Sequence, residues 1–390
     1  MNDYYADMHI HIGAASNGKP VKITASRKLN FKNIVKESNQ RKGLDLIGII
    51  DCASPRVQKD ISSMLKGGQL KEIKEGGFQY KKDLVIIPGA EIESREDNGG
   101  MVHYLAYFPF LDNIKEFTTI MAHYIKNTNL STQVTGLTGS AILKIIKACN
   151  GIMVPAHLFT PHKSFYGNAF VSYKEVFSEE EWRSIPAIEL GLSADSQLAD
   201  RLSELAKKSF LANSDAHSLA KIAREYNILT MKTPNFNEFK AALKRKGKRK
   251  VKANYGLDPR LGKYHRSYCQ KCDLTFNTKQ AVLKCPNCKK KLVMGVKDRI
   301  LEISDQPVNH PTYRAEYIYQ IPLLDIPGIG KKTLQKLLDR FTSEMNVLHE
   351  VDYYSLKEVL NKKLADRIEK ARKGQAEIIS GGGGIYGKME

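Results

Sequence analysis

The chain has 390 residues, 42% of them hydrophobic, which is too long for one average domain and apolar enough to bury a sizeable core. A formal charge of +19 sets it apart from an ordinary neutral or acidic soluble enzyme and points to a polyanionic partner. No stretch reaches the roughly 18 consecutive apolar residues of a membrane span, and Met1-Asn2-Asp3-Tyr4 has neither region of a signal peptide, so a cytoplasmic protein without membrane association is expected.

Along the first 240 residues, short apolar runs alternate with stretches of helical periodicity. The runs predict strands at 4–12, 44–51, 84–92, 101–108, 151–157, 187–192 and 210–214. Helices are predicted at 31–42, at 139–149 with Ile142, Ile145 and Ile146 on one face, at 197–208 and at 235–246. Strand, helix and strand repeated this often predict a parallel α/β fold, and seven strands point to a barrel rather than an open sheet. A linker follows at 254–262, then a cysteine-rich unit at about 265–295 and a helical segment at about 322–373. The chain closes with four glycines at 381–384 and Ile385-Tyr386-Gly387-Lys388. Three units are expected, at 1–252, 253–300 and 301–390. Charge is concentrated between Lys240 and Ile300, where 19 Lys and Arg face 3 acidic residues; such a local excess reads as a phosphate-contacting surface.

Metal-ligand residue types gather at the predicted strand ends. Asp7, His9 and His11 alternate along the first strand, and period two puts them on one face. Asp51 and Cys52 end the second strand, Glu91 and Glu93 the third, and His157 the fifth; His103 lies in the fourth, and Asp215 and His217 follow the seventh. The carboxyl ends of barrel strands share one mouth, so these residues would converge there. One histidine after a strand is commonly just a satisfied polar group. Five or more strand ends that all offer nitrogen or oxygen donors are better explained by two or three divalent ions (zinc, manganese or magnesium), with a carboxylate such as Glu91 spanning them. Such clusters hydrolyse phosphate esters by activating water and neutralising phosphoryl oxygens.

Two features flank that mouth. The loop 159–167 combines Phe159, Phe165 and Tyr166 with His162 and Lys163; the aromatic faces suit nucleobases and the cation a phosphate, while packing as a lid would use the same residues. Asp195 reads equally as a ligand or general acid/base and as the N-terminal cap of the following helix.

The last third carries two further signals. Cys269-x2-Cys272 and Cys285-x2-Cys288 have the spacing of a four-thiolate structural zinc site, closed to water and set among lysines. Pro327-Gly328-Ile329-Gly330-Lys331-Lys332 precedes Leu334, Leu337 and Leu338 at helical spacing and is similar to a helix-hairpin-helix. Its glycines let the backbone approach a phosphate held by N–H groups and the helix start, without reading the base.

Asp7-Met8-His9-Ile10-His11, followed in order by Asp51, Glu91, His103, His157 and Asp215-Ala216-His217, resembles the PHP family (polymerase and histidinol phosphatase) over residues 3–240. The resemblance implies a distorted seven-stranded barrel. By matched position, His9, His11, Glu91 and Asp215 would serve one ion and Glu91, His103 and His157 another, with His217 completing the cluster. Most members have His where Cys52 stands, which leaves Cys52 open between a soft-ion ligand and a buried inert thiol. The further His that many members carry after the first motif is replaced by Gly13-Ala14-Ala15-Ser16, leaving one of three ions weak or absent.

The order of PHP unit, four-cysteine unit and hairpin is similar to the endonuclease Q family across nearly the whole chain. Asp51-Cys52-Ala53-Ser54-Pro55, the 159–167 loop and the Ile385-Tyr386-Gly387-Lys388 end carry the same resemblance. It implies a monomeric, metal-dependent DNA repair endonuclease acting on single- or double-stranded DNA. The cut would fall 5′ of a deaminated base (uracil, hypoxanthine or xanthine) or at an abasic site, leaving a 3′-hydroxyl and a 5′-phosphate. Glu91, His217 and Asp195 are then the candidate catalytic residues. A phosphatase of small phosphate monoesters would need neither zinc unit, hairpin nor basic segment; a non-catalytic DNA-binding protein would not need the full donor set.

Overall fold

The computed structural model describes residues 1–276, 278, 282–381 and 384–389, so Gly382 and Gly383 of the glycine run lie outside the described residues. Its strands are β1 (Asn2–Ile10), β2 (Leu46–Ile49), β3 (Leu70–Glu72), β4 (Phe78–Tyr80), β5 (Leu84–Arg95), β6 (Met101–Tyr107), β7 (Val134–Thr135), β8 (Ile152–Pro155), β9 (Ala187–Glu189), β10 (Ser209–Leu211), β11 (Tyr226–Met231), β12 (Lys250–Gly256), β13 (Tyr268–Cys269), β14 (Leu274–Thr275), β15 (Glu316–Tyr319), β16 (Ile378–Ile379) and β17 (Lys388–Met389). The main sheet runs β15-β12-β11-β1-β2-β5-β4-β3, with β6 joined to β5 and β8 and β7 to β5, while β9 and β10 form a separate two-stranded sheet.

The seven predicted strands correspond to β1, β2, β5, β6, β8, β9 and β10. They are not all parallel. β1–β2, β2–β5 and β9–β10 are parallel, but β5–β6 and β6–β8 are antiparallel. The reason is the short connection at 96–100, Glu-Asp-Asn-Gly-Gly, which cannot hold a crossover helix and so makes a hairpin. Beyond β8, Leu158 N–H donates to Glu189 C=O at 2.9 Å. Beyond β10, Ala216 bridges in parallel to Ile10 of β1.

Alternation along the strands separates two cores. One contains Met8, Leu46, Ile87, Leu105, Val154, Ala187 and Leu211, one side chain from each of the seven strands. The other packs against amphipathic helices Phe31–Glu37, Pro55–Lys66, Leu111–Met121 and Gly139–Ala148. Val57, Ile61 and Met64 make the buried stripe of the second of these.

Two predicted segments differ. The helix expected at 197–208 is reduced to Ser196–Ala199 and a 3-10 turn at Ser203–Leu205. Between them Asp200 is buried and bound by His310 Nδ1 at 2.6 Å and Arg314 Nε at 2.9 Å, so a long-range ion cluster fixes the backbone there. The expected linker begins inside β12, which pairs with β11 through Asn254 and Tyr255 and with β15 through Asn254, Tyr255 and Gly256. Lys250 and Lys252 are exposed while Val251 and Ala253 are buried, the period-two pattern of a half-covered strand.

The last ninety residues form a third core from helices Lys331–Phe341, Glu344–His349, Tyr353–Val359 and Lys362–Arg372. Among the described residues, no helix is long and apolar enough to cross a membrane.

Candidate metal centre

The strand ends bring six predicted ligands into two groups, His9 with His11 and Asp215, and Glu91 with His103 and His157. In the first, His9 Nε2 lies 3.4 Å from His11 Nε2 and 3.4 Å from Asp215 Oδ1, and His11 Nε2 lies 3.3 Å from Asp215 Oδ1. In the second, Glu91 Oε1 is 2.9 Å from His103 Nδ1 and 3.7 Å from His157 Nε2, and the two ring nitrogens are 3.2 Å apart. Donors about 2.0–2.2 Å from one ion are separated by about 3.3–3.6 Å in a tetrahedral shell, so both groups have cation-sized spacing. Glu91 Oε1 also lies 3.6 Å from His9 Nε2, which places this carboxylate between the groups.

Each imidazole is held through its other nitrogen. His9 Nδ1 meets Glu189 Oε1 at 2.9 Å, His11 Nδ1 meets Asp51 Oδ2 at 3.1 Å, His103 Nε2 meets Glu93 Oε2 at 3.0 Å, and Thr160 Oγ1 meets His157 Nδ1 at 3.2 Å. Acceptors in this position fix the tautomer and aim the free nitrogen at an ion. His157 and Asp215 have φ of 28° and 45°, conformations that cost about 1–3 kcal/mol each and that cluster at functional sites. Arg224 braces the second, donating from Nε to Ser214 C=O at 2.6 Å and from Nη2 to Asp215 C=O at 3.3 Å.

Electrostatics keep the acids ionised. Burial alone would raise Glu91, but His103 and Lys22 hold its carboxyl well below the usual range. Burial is likewise outweighed at Asp215 by His9 and His11. At His9, burial opposes the charge, yet Glu189, Asp215 and Glu91 hold its pKa up at about 10. Lys22 Nζ donates to Glu91 Oε2 at 2.8 Å and Thr132 Oγ1 at 2.6 Å. The whole arrangement opens on a cavity of about 730 Å³ that Lys22, Lys163, Arg224 and Lys263 also line.

Other expected residues fall elsewhere or act indirectly. His217 lines the cavity, with Nδ1 3.4 Å from Asp215 Oδ1. Asp51 is engaged by His11 and by Ile12 N–H at 2.6 Å, so it orients His11 rather than joining either donor group. Cys52 is fully buried in an apolar core, where burial pushes its thiol up, and it belongs to neither donor group. Asp195 caps its helix by accepting from Leu198 N–H at 2.8 Å, accepts from Tyr319 O–H at 2.7 Å, and faces a different cavity. Phe159, Phe165 and Tyr166 are buried to within 1% and stack among themselves and with Phe170, Phe177 and Trp182, so the expected base-stacking role is corrected to that of a packed aromatic core. His162 and Lys163 of the same loop do face the active cavity. Glu189, Lys22, Thr132 and Arg224 were not expected. Glu189 had the signal of an acid ending an apolar strand; the loop residues Lys22 and Thr132 had none.

Cys269, Cys272, Cys285 and Cys288 bring their sulfurs together, at 3.5 Å for Cys269 to Cys288 and 3.9 Å for Cys272 to Cys285. Four thiolates around zinc at about 2.3 Å stand about 3.8 Å apart, so the cluster fits a structural zinc. Gly328, at φ +92°, precedes the helix that starts at Lys331; Gly328, Gly330, Lys331 and Lys332 are exposed while Ile329 is buried. The element before this turn is one 3-10 turn, Leu323–Asp325.

Residues 195–247 match the family described as PHP-associated. The chain is 42% identical over 394 residues to the uncharacterized protein YqxK of Bacillus subtilis (strain 168), covering all of both chains. Its structure is similar to the lesion-specific endonuclease PfuEndoQ from Pyrococcus furiosus, with a TM-score of 0.85 and 31% identity over 100% of this chain and 95% of that one. It is similar too to an endonuclease Q bound to a 27-mer duplex substrate with an abasic lesion at the active site, with a TM-score of 0.84 and 32% identity over 100% and 96% of the two chains.

Proposed function

The chain belongs to the endonuclease Q family, and from that premise we propose that it is a metal-dependent endonuclease that incises DNA at damaged nucleotides. The observation that carries this reading is the pair of donor groups in which all four imidazoles are aimed by a partner on the far nitrogen. His9, His11 and Asp215 would hold one divalent ion and Glu91, His103 and His157 another. Bound there, such ions would activate water and neutralise charge on a phosphodiester. His217 stands beside Asp215 at the open side, where it can take part in proton transfer.

The remaining residues prepare the site. Glu189, Asp51 and Glu93 fix the imidazoles. Lys22 and Lys163 place ammonium groups on Glu91 and Glu93 while lining the cavity, so each can reach a phosphate oxygen. Gly328, Gly330, Lys331 and Lys332 would hold the duplex backbone as a helix-hairpin-helix, and the basic four-cysteine unit would add phosphate contacts. Extruding the damaged nucleotide costs least where its pairing is already weak, which favours uracil, hypoxanthine, xanthine and abasic sites, with the cut 5′ of the lesion. We read β1, β2, β5, β6, β8, β9 and β10 as a distorted seven-stranded barrel, supported by their shared apolar core and the Ile10–Ala216 bridge. The units 1–252, 253–300 and 301–390 are then a catalytic body, a zinc clamp and a DNA-holding end, with β12 and β15 tying the last to the first.

The test uses duplexes containing one uracil, one hypoxanthine, one abasic site or no lesion, with magnesium, manganese or zinc. Ion-dependent nicking of the lesion strand is expected. Turnover of a soluble phosphate monoester without DNA incision would overturn the reading.

A further inference from the structure

The glycine-rich end supplies none of the metal donors, yet it is docked at the rim of their cavity. β16 pairs with β17, and Gly381 N–H donates to Arg260 C=O at 2.7 Å, Gly384 N–H to Lys263 C=O at 3.2 Å and Gly387 N–H to Leu261 C=O at 3.0 Å. No side chain fits at Gly381 or Gly387, whereas Gly384 has open space around it at φ +88°. A Cβ on Gly387 would stand 2.5 Å from Ile379 O, and one on Gly381 would stand 2.5 Å from Gly387 N. Gly381 and Gly387 therefore serve close backbone approach, and Gly384 a left-handed turn.

What this docking delivers is Tyr386. Its side is half exposed, and it lines both the metal-centre cavity and a second cavity of about 1040 Å³. Lys263 Nζ lies 4.9 Å from the Tyr264 ring centre and 5.6 Å from that of Tyr386, so one ammonium serves two aromatic faces at the rim. The second cavity is cationic, with Arg201, Arg266, Lys297 and Lys388 in its wall. Its acids are already engaged, Asp195 by Tyr319 and Asp258 by Arg260. Arg266 is 4% exposed and pairs with Asp298 at 3.0 Å through Nη2, while its Nε and Nη1 have no partner among the described residues.

We propose that this wall is a second nucleotide subsite. A strand leaving the metal centre lays one base on the Tyr386 ring beside Lys263 and sets the adjoining phosphate among the cations of the second cavity. Aromatic stacking with a neighbouring cation accepts any base, so the subsite holds the strand without choosing its sequence. The inference rests on the endonuclease reading given above.

The experiment compares the wild-type protein with Tyr386→Phe and with Tyr386→Leu, which keeps bulk but has no π-face. Lesion duplexes carry 2-aminopurine at each flanking nucleotide in turn, with an uncleavable methylphosphonate at the scissile position. Emission is expected to be quenched at one position by the wild type and Tyr386→Phe, but not by Tyr386→Leu. On cleavable duplex, Tyr386→Leu should raise KM about 5- to 100-fold with little change in kcat. Identical emission for all three proteins at every position, with unchanged KM, would overturn the subsite. Failure of the wild type to incise any lesion duplex would instead overturn the endonuclease reading beneath it.

Discussion

Glu189→Gln tests how the protein aims its imidazoles. The Glu189 carboxylate takes three donors with two oxygens. Oε1 receives His9 Nδ1 and Asn213 Nδ2, both at 2.9 Å, and Oε2 receives His157 N–H at 2.8 Å and His9 Nδ1 at 3.1 Å. A glutamine of the same shape must turn its NH2 toward at least one of these donors, and neither orientation satisfies all three. His9 then loses the partner that fixes its tautomer, while the segment carrying His157 loses an anchor. Losing such an outer partner typically costs 10- to 100-fold in metal affinity, or about 1.4–2.8 kcal/mol. Manganese titration of chelator-stripped protein reads the affinity directly, and zinc retained at the four cysteines reports an intact fold. Affinity within twofold of wild type would refute the reasoning, because it would mean that His9 needs no orienting acceptor.

Asp215→Asn removes the carboxylate that faces His9 and His11, and should abolish nicking in a gel assay while binding of lesion duplex is retained. The pKa of His9 is held near 10 in the ion-free protein, so below that pH an ion must displace its proton. Loading should release protons, and apparent affinity should rise by up to about tenfold per pH unit for each proton displaced, as measured by calorimetry in buffers of different ionisation heat. Cys285→Ser opens the four-sulfur cluster; it should lower bound zinc by one per chain and raise KM more than it lowers kcat. Lys331→Ala and Lys332→Ala should each reduce the slope of log affinity against log salt by about 1, read from binding curves at several salt concentrations. Gly328→Ala places a Cβ 2.7 Å from Leu364 Cδ2 at a left-handed φ; it should destabilise by roughly 1 kcal/mol or more and weaken DNA binding.

Much of the centre is legible because its donors come from strands. Alternation in Asp7-Met8-His9-Ile10-His11 gives one face, and an acid or histidine closing an apolar run gives a mouth. Glu189 ends the run Ala187–Glu189 in the same way and was readable by that rule. Lys22 and Thr132 were not, because each reaches Glu91 from a loop whose path depends on tertiary contacts. The 159–167 loop exposes the limit of composition. Phe159, Phe165 and Tyr166 have the chemistry of a base platform, but all three are buried, Phe165 against Phe177 and Trp182 farther along the chain and Tyr166 between Phe159 and Phe165. Strand direction was partly readable, since Asp97-Asn98-Gly99-Gly100 is a turn signal between two predicted strands. Asp200 shows the opposite case, where capture by His310 and Arg314 over a hundred residues away cuts short a helix that local periodicity favours.

The measurement closest to the heart of this account is anomalous diffraction from crystals soaked in manganese. Two peaks are expected, one within about 2.0–2.3 Å of His9 Nε2, His11 Nε2 and Asp215 and the other equally near Glu91, His103 Nδ1 and His157 Nε2. Ordered side chains with no peak at either position, in protein that still nicks lesion duplex, would contradict it.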